Sequence, residues 1–256
     1  MNRTELLPFK SPIVNPGDSL VEALLESLAR SWSRMRNGDI VAVASKVVSI
    51  SENRIVKLNT VKPSGKATRL SRQFGLTPEF AQVIINEADR IYSGVEGAVL
   101  TLKDGHVTAN AGADRKNSPG NSAVIWPRDP SRSAKRLQSA IKGKTGKAVS
   151  VIIVDSRVTP LRLGTVGLCL ASVGFKPVRD FRKMPDLGKR KIRITYQAIG
   201  DGLAAAAHVL MGEAEERVPF VIVRGAPVTL NGNRGISEKM QTEDCLYMSQ
   251  IRPLTT

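Results

Sequence analysis

The sequence predicts a mixed α+β fold, with strands and helices interwoven along one chain. Three observations carry this. Apolar runs rich in β-branched residues recur at 39–50, 148–154 and 220–224. Segments with apolar residues at helical spacing lie before and between them, at 20–32, 64–73, 77–90 and 201–213. Internal repeats and low-complexity tracts are absent from the 256 residues. That length suits one large domain or two small ones. The clear core pattern ends near residue 229. The expected division is therefore a domain over 1–228, with a lobe inserted at about 60–145, and a tail over 229–256.

Taken in order, Ser11 to Asp18 is a turn-rich lead-in, and Asp18 or Ser19 caps the first helix. Leu20, Leu24, Leu25, Leu28 and Trp32 form its apolar stripe, and Asn37-Gly38 stops it. The run 39–50 reads as a strand carrying Ser45 and Lys46. A lysine there is either an edge residue facing water or a phosphate contact near a strand end. Helices follow at 64–73 and 77–90, the second opened by Thr77-Pro78-Glu79. Residues 97–112 form a hairpin turning at Asp104-Gly105, with His106 as a solvated turn residue.

Asp129-Pro130 opens a basic helix with Arg132, Lys135 and Arg136, ending in the lysine-rich 142–147. Its Gly143-Lys144-Thr145 is not a phosphate-binding P-loop. Gln138 stands where the first glycine is required, and a strand follows. The strand 148–154 ends on Asp155-Ser156. A glycine-bearing loop at 159–167, a small apolar run at 167–175 and a basic loop or flap at 176–191 come next. Residues 192–199 alternate as a strand, and 201–213 form an alanine-rich helix with His208 packed in the core. The last strand ends on Arg224.

Lys and Arg number 38 against 23 Asp and Glu, a net charge of +15. An anionic partner fits: a nucleotide, a polyanionic substrate or nucleic acid. Aromatics make up only 4% of the chain, which favours phosphate-bearing small molecules over single strands that need stacking platforms. Nucleic acid is thus not the expected partner, though basicity alone leaves duplex and tRNA binding open. Cys169 and Cys245 form neither a disulfide framework nor a clustered metal site, which points to a reducing cytoplasm. Neither a signal-peptide core nor an apolar run of about 18 residues appears, so no membrane association is expected.

Two acids stand out. Asp155 ends a buried apolar run, where a ligand can sit outside the strand end. Asp114 follows Gly112 in a turn. Either acid alone could simply cap a turn or strand. The hypothesis is that together they hold a divalent metal against nucleotide phosphate.

Four stretches carry a resemblance. They are Pro16-Gly17-Asp18 with Ser45-Lys46 and Ser49, then Asn110 to Asn117, then Asp155-Ser156 with Arg162, Gly164 and Gly167, and finally Ala204 to Glu213 leading to Pro219 and Val223-Arg224-Gly225. In this order and spacing the chain resembles the coenzyme F420:L-glutamate ligase family, the γ-glutamyl ligases of deazaflavin cofactor biosynthesis. The resemblance implies a two-lobed α+β subunit in an intertwined homodimer, with the active site at the dimer interface. It implies GTP as co-substrate with Mg2+ or Mn2+, and L-glutamate and a phosphorylated acidic small molecule as substrates. By match, Asp114 and Asp155 would be the catalytic, metal-binding acids, with Ser156 adding a hydroxyl. Ser45, Lys46 and Asn117 would lie along the GTP, as would the backbone of Ser11, Pro12, Ile13 and Val14. Met211, Gly212 and Glu213 match a further nucleotide-proximal stretch.

The chain departs from the family pattern at Ile50, Thr159, Leu163 and Gly188, where that pattern carries lysine, arginine, arginine and tyrosine. These departures set two alternatives beside the ligase. One is a related nucleotide-dependent amide ligase with another acidic acceptor. The other is a catalytically impaired basic binding protein of the same fold.

Overall fold

The structure is a computed structural model and describes residues 3–230 and 239–254. The tail expected after residue 228 falls partly outside the described residues. In chain order the elements are β1 (Glu5–Phe9), α1 (Leu20–Arg30), β2 (Ile40–Ala44), α2 (Ser45–Ser51), β3 (Ile55–Lys57), α3 (Gly65–Phe74), α4 (Pro78–Glu87), β4 (Arg90–Val95), β5 (Ala98–Lys103) and β6 (His106–Ala109). They continue with β7 (Ser122–Val124), α5 (Pro130–Thr145), β8 (Ser150–Val158), β9 (Thr165–Val173), β10 (Val178–Asp180), β11 (Tyr196–Ala198), α6 (Ile199–Met211) and β12 (Phe220–Arg224). This is the mixed α+β class expected. The chain forms two compact units, one from Met1–Ser51, Asp129–Ser156 and Thr165–Glu238, the other from Glu52–Arg128, Arg157–Gly164 and Lys239–Thr256.

The first unit is built on a five-stranded sheet in the order β1-β12-β2-β8-β9. β12 runs antiparallel to both β1 and β2, while β2 and β8 are parallel. Its central strands are apolar at consecutive positions because both faces are covered. Ile40, Ala42, Ile152, Val154, Val221 and Val223 form one face, packed with Ala204, Ala207 and Met211 of α6. Val41, Val43, Val151, Ile153 and Ile222, pointing the other way, are equally buried. α5 packs on β9 and α1. Between β9 and α6 the approach is close: a Cβ on Gly167 would stand 2.3 Å from the Ala204 carbonyl oxygen. The Cys169 thiol in the same layer is pushed up to about 12, first by burial and then by Asp201, so it stays protonated.

One ion pair closes the sheet where β2 begins and β12 ends. Arg224 donates from Nε and Nη2 to the two Asp39 oxygens, each at 2.8 Å, and Asp39 is 1% exposed. The hydrogen bond to Asp39 holds the Arg224 guanidinium above its usual range.

The second unit packs α3 and α4 with a three-stranded sheet, β4-β5-β6, and the pair β3-β7. Leu70, Phe74, Phe80, Ile84, Val99 and Ile125 fill its core. Glu87 accepts from Lys103 at 2.5 Å and from Arg54 at 3.3 Å, so the buried lysine is neutralised by a partner.

Several local expectations change. α1 ends at Arg30 rather than at Gly38, and Trp32 leaves its stripe, 97% exposed with φ of 50°. The strand expected over 39–50 stops at Ala44, and the chain turns helical at Ser45. Buried Ser45, Val48 and Ser49 then recur at helical rather than alternate spacing. Burial ends at Val154 as expected, but β8 continues to Val158. Of 192–199 only Tyr196–Ala198 pairs as a strand. His106 packs edge-on to Trp126 with ring centroids 5.9 Å apart, rather than standing in solvent at the turn. Gly143-Lys144-Thr145 forms the last turn of α5, capped by left-handed Gly146, in keeping with the rejected P-loop.

Gly167→Ala is expected to cost about 1–3 kcal/mol by overpacking. A denaturant titration reads this directly, and wild-type stability in the variant would contradict the packing.

Candidate functional site

Register gathers the candidate residues of the first unit. Ala44 pairs with Val154 across the parallel β2–β8 ladder, so Ser45 and Asp155 leave paired positions together. The Ser45 hydroxyl donates to Asp155 Oδ1 at 2.7 Å. Ser45 is 4% exposed, whereas Asp155 is half-buried. The hydroxyl thus stiffens a carboxylate that still reaches the surface. Ser156 follows it, also half-buried. Lys46 sits half-buried in α2, so it is neither an edge-strand residue nor part of a strand.

The same edge of the sheet receives the lead-in. Phe9 pairs with Phe220, and Phe220 with Val43. The Ala44 N–H donates to the Pro219 carbonyl at 2.9 Å. Ser11 N–H donates to the Arg217 carbonyl at 2.9 Å, and Arg217 Nη2 returns a bond to the Ser11 carbonyl at 3.3 Å. Gly17 N–H reaches the Ser51 carbonyl at 3.1 Å, tying the lead-in to the end of α2. Ser11 and Val14 are buried, Pro12 is half-buried and Ile13 is 71% exposed.

Met211 ends α6, Gly212 caps it and Glu213 follows. Gly212 turns the chain with φ of 74°, a conformation glycine adopts without steric cost. Glu213 Oε1 accepts from the Thr165 hydroxyl at 2.7 Å and lies 2.9 Å from His208 Nε2. His208, its side chain 13% exposed, is packed as expected, with Glu213 as its polar partner. Sequence reading missed this pairing, and also missed Arg217 as the partner of Ser11. The signal available was modest: an acid just past the glycine that ends the helix, five residues after the histidine.

Asp114 and Asn117 belong to the second unit. Asn110, Ala111 and Gly112 take φ of 53°, 53° and 70° in succession. Such a left-handed turn is costly for alanine and persists only where its surroundings fix it. Asn110 Oδ1 accepts from Val99 N–H at 2.9 Å, and the Thr101 hydroxyl accepts from Ala111 N–H at 2.8 Å. A Cβ on Gly112 would fall 2.3 Å from the Trp126 ring. Asp114 then bridges to Val124, and its Oδ1 accepts from Lys116 N–H at 2.7 Å. Asn117, exposed, takes φ of 55°. The structure thus brings Ser45 and Asp155 into contact, and keeps Asp114 and Asn117 together within one loop.

Three of the departing positions have clear surroundings. Ile50 is 9% exposed, so its side chain is core rather than a solvent-facing contact. Leu163, with its neighbour Leu161, is fully exposed in the loop 159–164. Gly188 lies in the exposed arm between β10 and β11. A cavity of about 990 Å3 on that arm is lined by Asp180, Arg182, Lys183, Asp186, Arg190, Lys191, Ile192 and Arg193, and holds none of the candidate site residues. No three His, Cys, Asp or Glu side chains cluster as a metal site among the described residues.

The chain matches the F420-0:gamma-glutamyl ligase family over residues 8–225. It is 37% identical over 224 residues to the coenzyme F420:L-glutamate ligase of Methanopyrus kandleri, covering 87% of this chain and 86% of that protein. The protein of that name from Methanothermobacter thermautotrophicus is 35% identical over 217 residues, covering 84% and 86%. Its counterpart from Archaeoglobus fulgidus is 33% identical over 245 residues, covering 95% and 96%. On the strength of a match that takes in β2, β8, α6 and the candidate residues on them, the chain belongs to the F420-0:gamma-glutamyl ligase family.

Proposed function

We propose that the protein is a GTP-dependent γ-glutamyl ligase, an amide-forming enzyme that joins L-glutamate to the phosphorylated deazaflavin precursor of coenzyme F420. Membership of the family and the names of its relatives support the reaction. The observation that carries it is the Ser45–Asp155 pair at the sheet edge. Ligands of open sheets sit beyond strand ends such as that of β2 at Ala44.

In this reading the acceptor carboxylate takes the γ-phosphoryl group of GTP. The bond from phosphorus to the departing GDP oxygen breaks, and an acyl phosphate forms. The glutamate amine then attacks the acyl carbon and loses its proton. The amide forms and phosphate leaves. Lys46 and Asn117 contact the nucleotide, flanked by the backbone of Ser11 to Val14 and by Met211, Gly212 and Glu213. Ser45 orients Asp155 through its hydroxyl. Carboxylate and hydroxyl oxygens suit a hard divalent ion, so Asp114, Asp155 and Ser156 would hold Mg2+ or Mn2+. When bound, the ion offsets charge on the phosphate oxygens. Two carboxylates and a hydroxyl would suit Mg2+, which is usually bound through one or two protein carboxylates.

The reading includes a homodimer and a cytoplasmic location. No helix among the described residues is long and apolar enough to cross a membrane. A second reading, an amide ligase for another acidic acceptor, is favoured by one observation. Leu161 and Leu163 stand fully exposed in a loop where the family pattern carries arginine at 163.

Protein incubated with GTP, Mn2+, L-glutamate and the precursor is expected to give a glutamylated product by mass spectrometry. Asp155→Asn should lower kcat about 10²-fold or more, the scale of removing a group that stabilises transition-state charge. Ser45→Ala should lower activity about 10–100-fold, as losing a partner of a metal ligand does. No product beside a competent relative would sink the proposal, and GTP turnover only with another acidic acceptor would favour the second reading. Light scattering should give about twice the chain mass of 27.7 kDa. A single-chain mass at working concentration would remove the dimer.

A further inference from the structure

We propose that the exposed face of α5 binds the phosphate backbone of duplex nucleic acid, independently of the ligase reaction. One face of α5 is spent on the core, through Ser133, Ala134, Leu137 and Ile141. Arg132, Lys135, Arg136 and Lys142 project from the other, all exposed. At 3.6 residues per turn they share one stripe, about 15 Å long from first to last.

Among the described residues the stripe meets no opposing charge. No Asp or Glu occurs between residues 130 and 154. Asp129 is committed to capping the helix, its carboxylate accepting from Arg132 N–H at 2.9 Å. On the neighbouring α1, Glu22 pairs with Lys144 at 2.7 Å and Glu26 pairs with Arg30. Lys135 donates to the neutral Gln138 side chain at 3.2 Å. None of the four stripe cations forms an ion pair among the described residues.

Shape selects the partner. A small anion is held in a concavity, whereas these cations stand in a row on a convex helix. A linear polyanion meets several at once and releases its counterions. A membrane surface would call for an apolar face to insert, and the apolar face of α5 is already buried. The helix carries no aromatic residue, so the contact is to phosphates rather than to stacked bases.

The test is fluorescence anisotropy of the full chain with a labelled DNA duplex of about 20 base pairs, two helical turns, across a salt series. Four phosphate contacts predict a slope of log K against log salt of about −3.6, or affinity falling about 10²-fold between 50 and 200 mM salt. The combined substitution Arg132→Gln, Lys135→Gln, Arg136→Gln and Lys142→Gln should abolish binding while leaving the thermal melt unchanged. A second variant, Lys183→Gln, Lys189→Gln, Lys191→Gln and Arg193→Gln, removes the same charge from the exposed arm between β10 and β11 and should still bind. Equal loss in both variants would make the attraction one of diffuse net charge and overturn the proposal. So would absence of binding at 50 mM salt. Stronger uptake onto anionic phosphatidylserine vesicles than onto the duplex, lost in the α5 variant, would assign the face to lipid and overturn it as well.

Discussion

The parallel ladder between β2 and β8 is the constraint on which the site depends. Ile40 to Ala44 lie opposite Ser150 to Val154, residue for residue. A slip of one position would turn every side chain of one strand to the opposite face. Ser45 and Asp155 would then no longer meet at hydrogen-bonding distance. Burial on both faces makes such a slip expensive, since Val41, Ile153 and their neighbours are almost wholly enclosed. The far end is closed by Asp39, whose carbonyl accepts from Ser150 N–H and whose carboxylate takes Arg224. The core and one ion pair set the register, and the register places the carboxylate.

From this edge the chemistry follows in steps. Phe9 ends β1, Phe220 begins β12 and Ala44 ends β2 on one side of the sheet, where Val154 of β8 pairs with Ala44. Ser11 is held by Arg217, Asp155 by Ser45, and Glu213 by Thr165 and His208. Within the second unit, Asp114 is placed by other means. Three consecutive left-handed residues turn the chain, and its core fixes them through Thr101 and Asn110. Alanine in that conformation is a local cost borne by the surrounding packing.

Long buried strands and capped helices were legible in the sequence because local and tertiary preferences agree there. Val151 to Val154, Phe220 to Val223, and the α4 start at Thr77-Pro78 are such cases. Asp155 could be singled out for the same reason, as a charge ending an apolar run. Local preference misled where tertiary context decides. Val47, Val48 and Ile50 favour a strand by composition, yet they lie in α2. β1 carries Pro8 and lies at the edge of the sheet, so its pattern is faint. His106 meets Trp126 and Ser45 meets Asp155 only after folding, across 20 and 110 residues of chain. Ile50 shows how a departure from a family pattern can be absorbed by the fold: where that pattern carries lysine, the apolar side chain is buried in the core.

We propose that the carboxylate held by the β2–β8 register takes a divalent ion. Mn2+ titrated into the protein with GTP, with free ion read by its electron paramagnetic resonance signal, tests this most directly. Mn2+ uptake by the wild type is expected, with affinity lowered about 10–100-fold in Ser45→Ala and further in Asp155→Asn. Equal Mn2+ affinity in wild type and Asp155→Asn would contradict it.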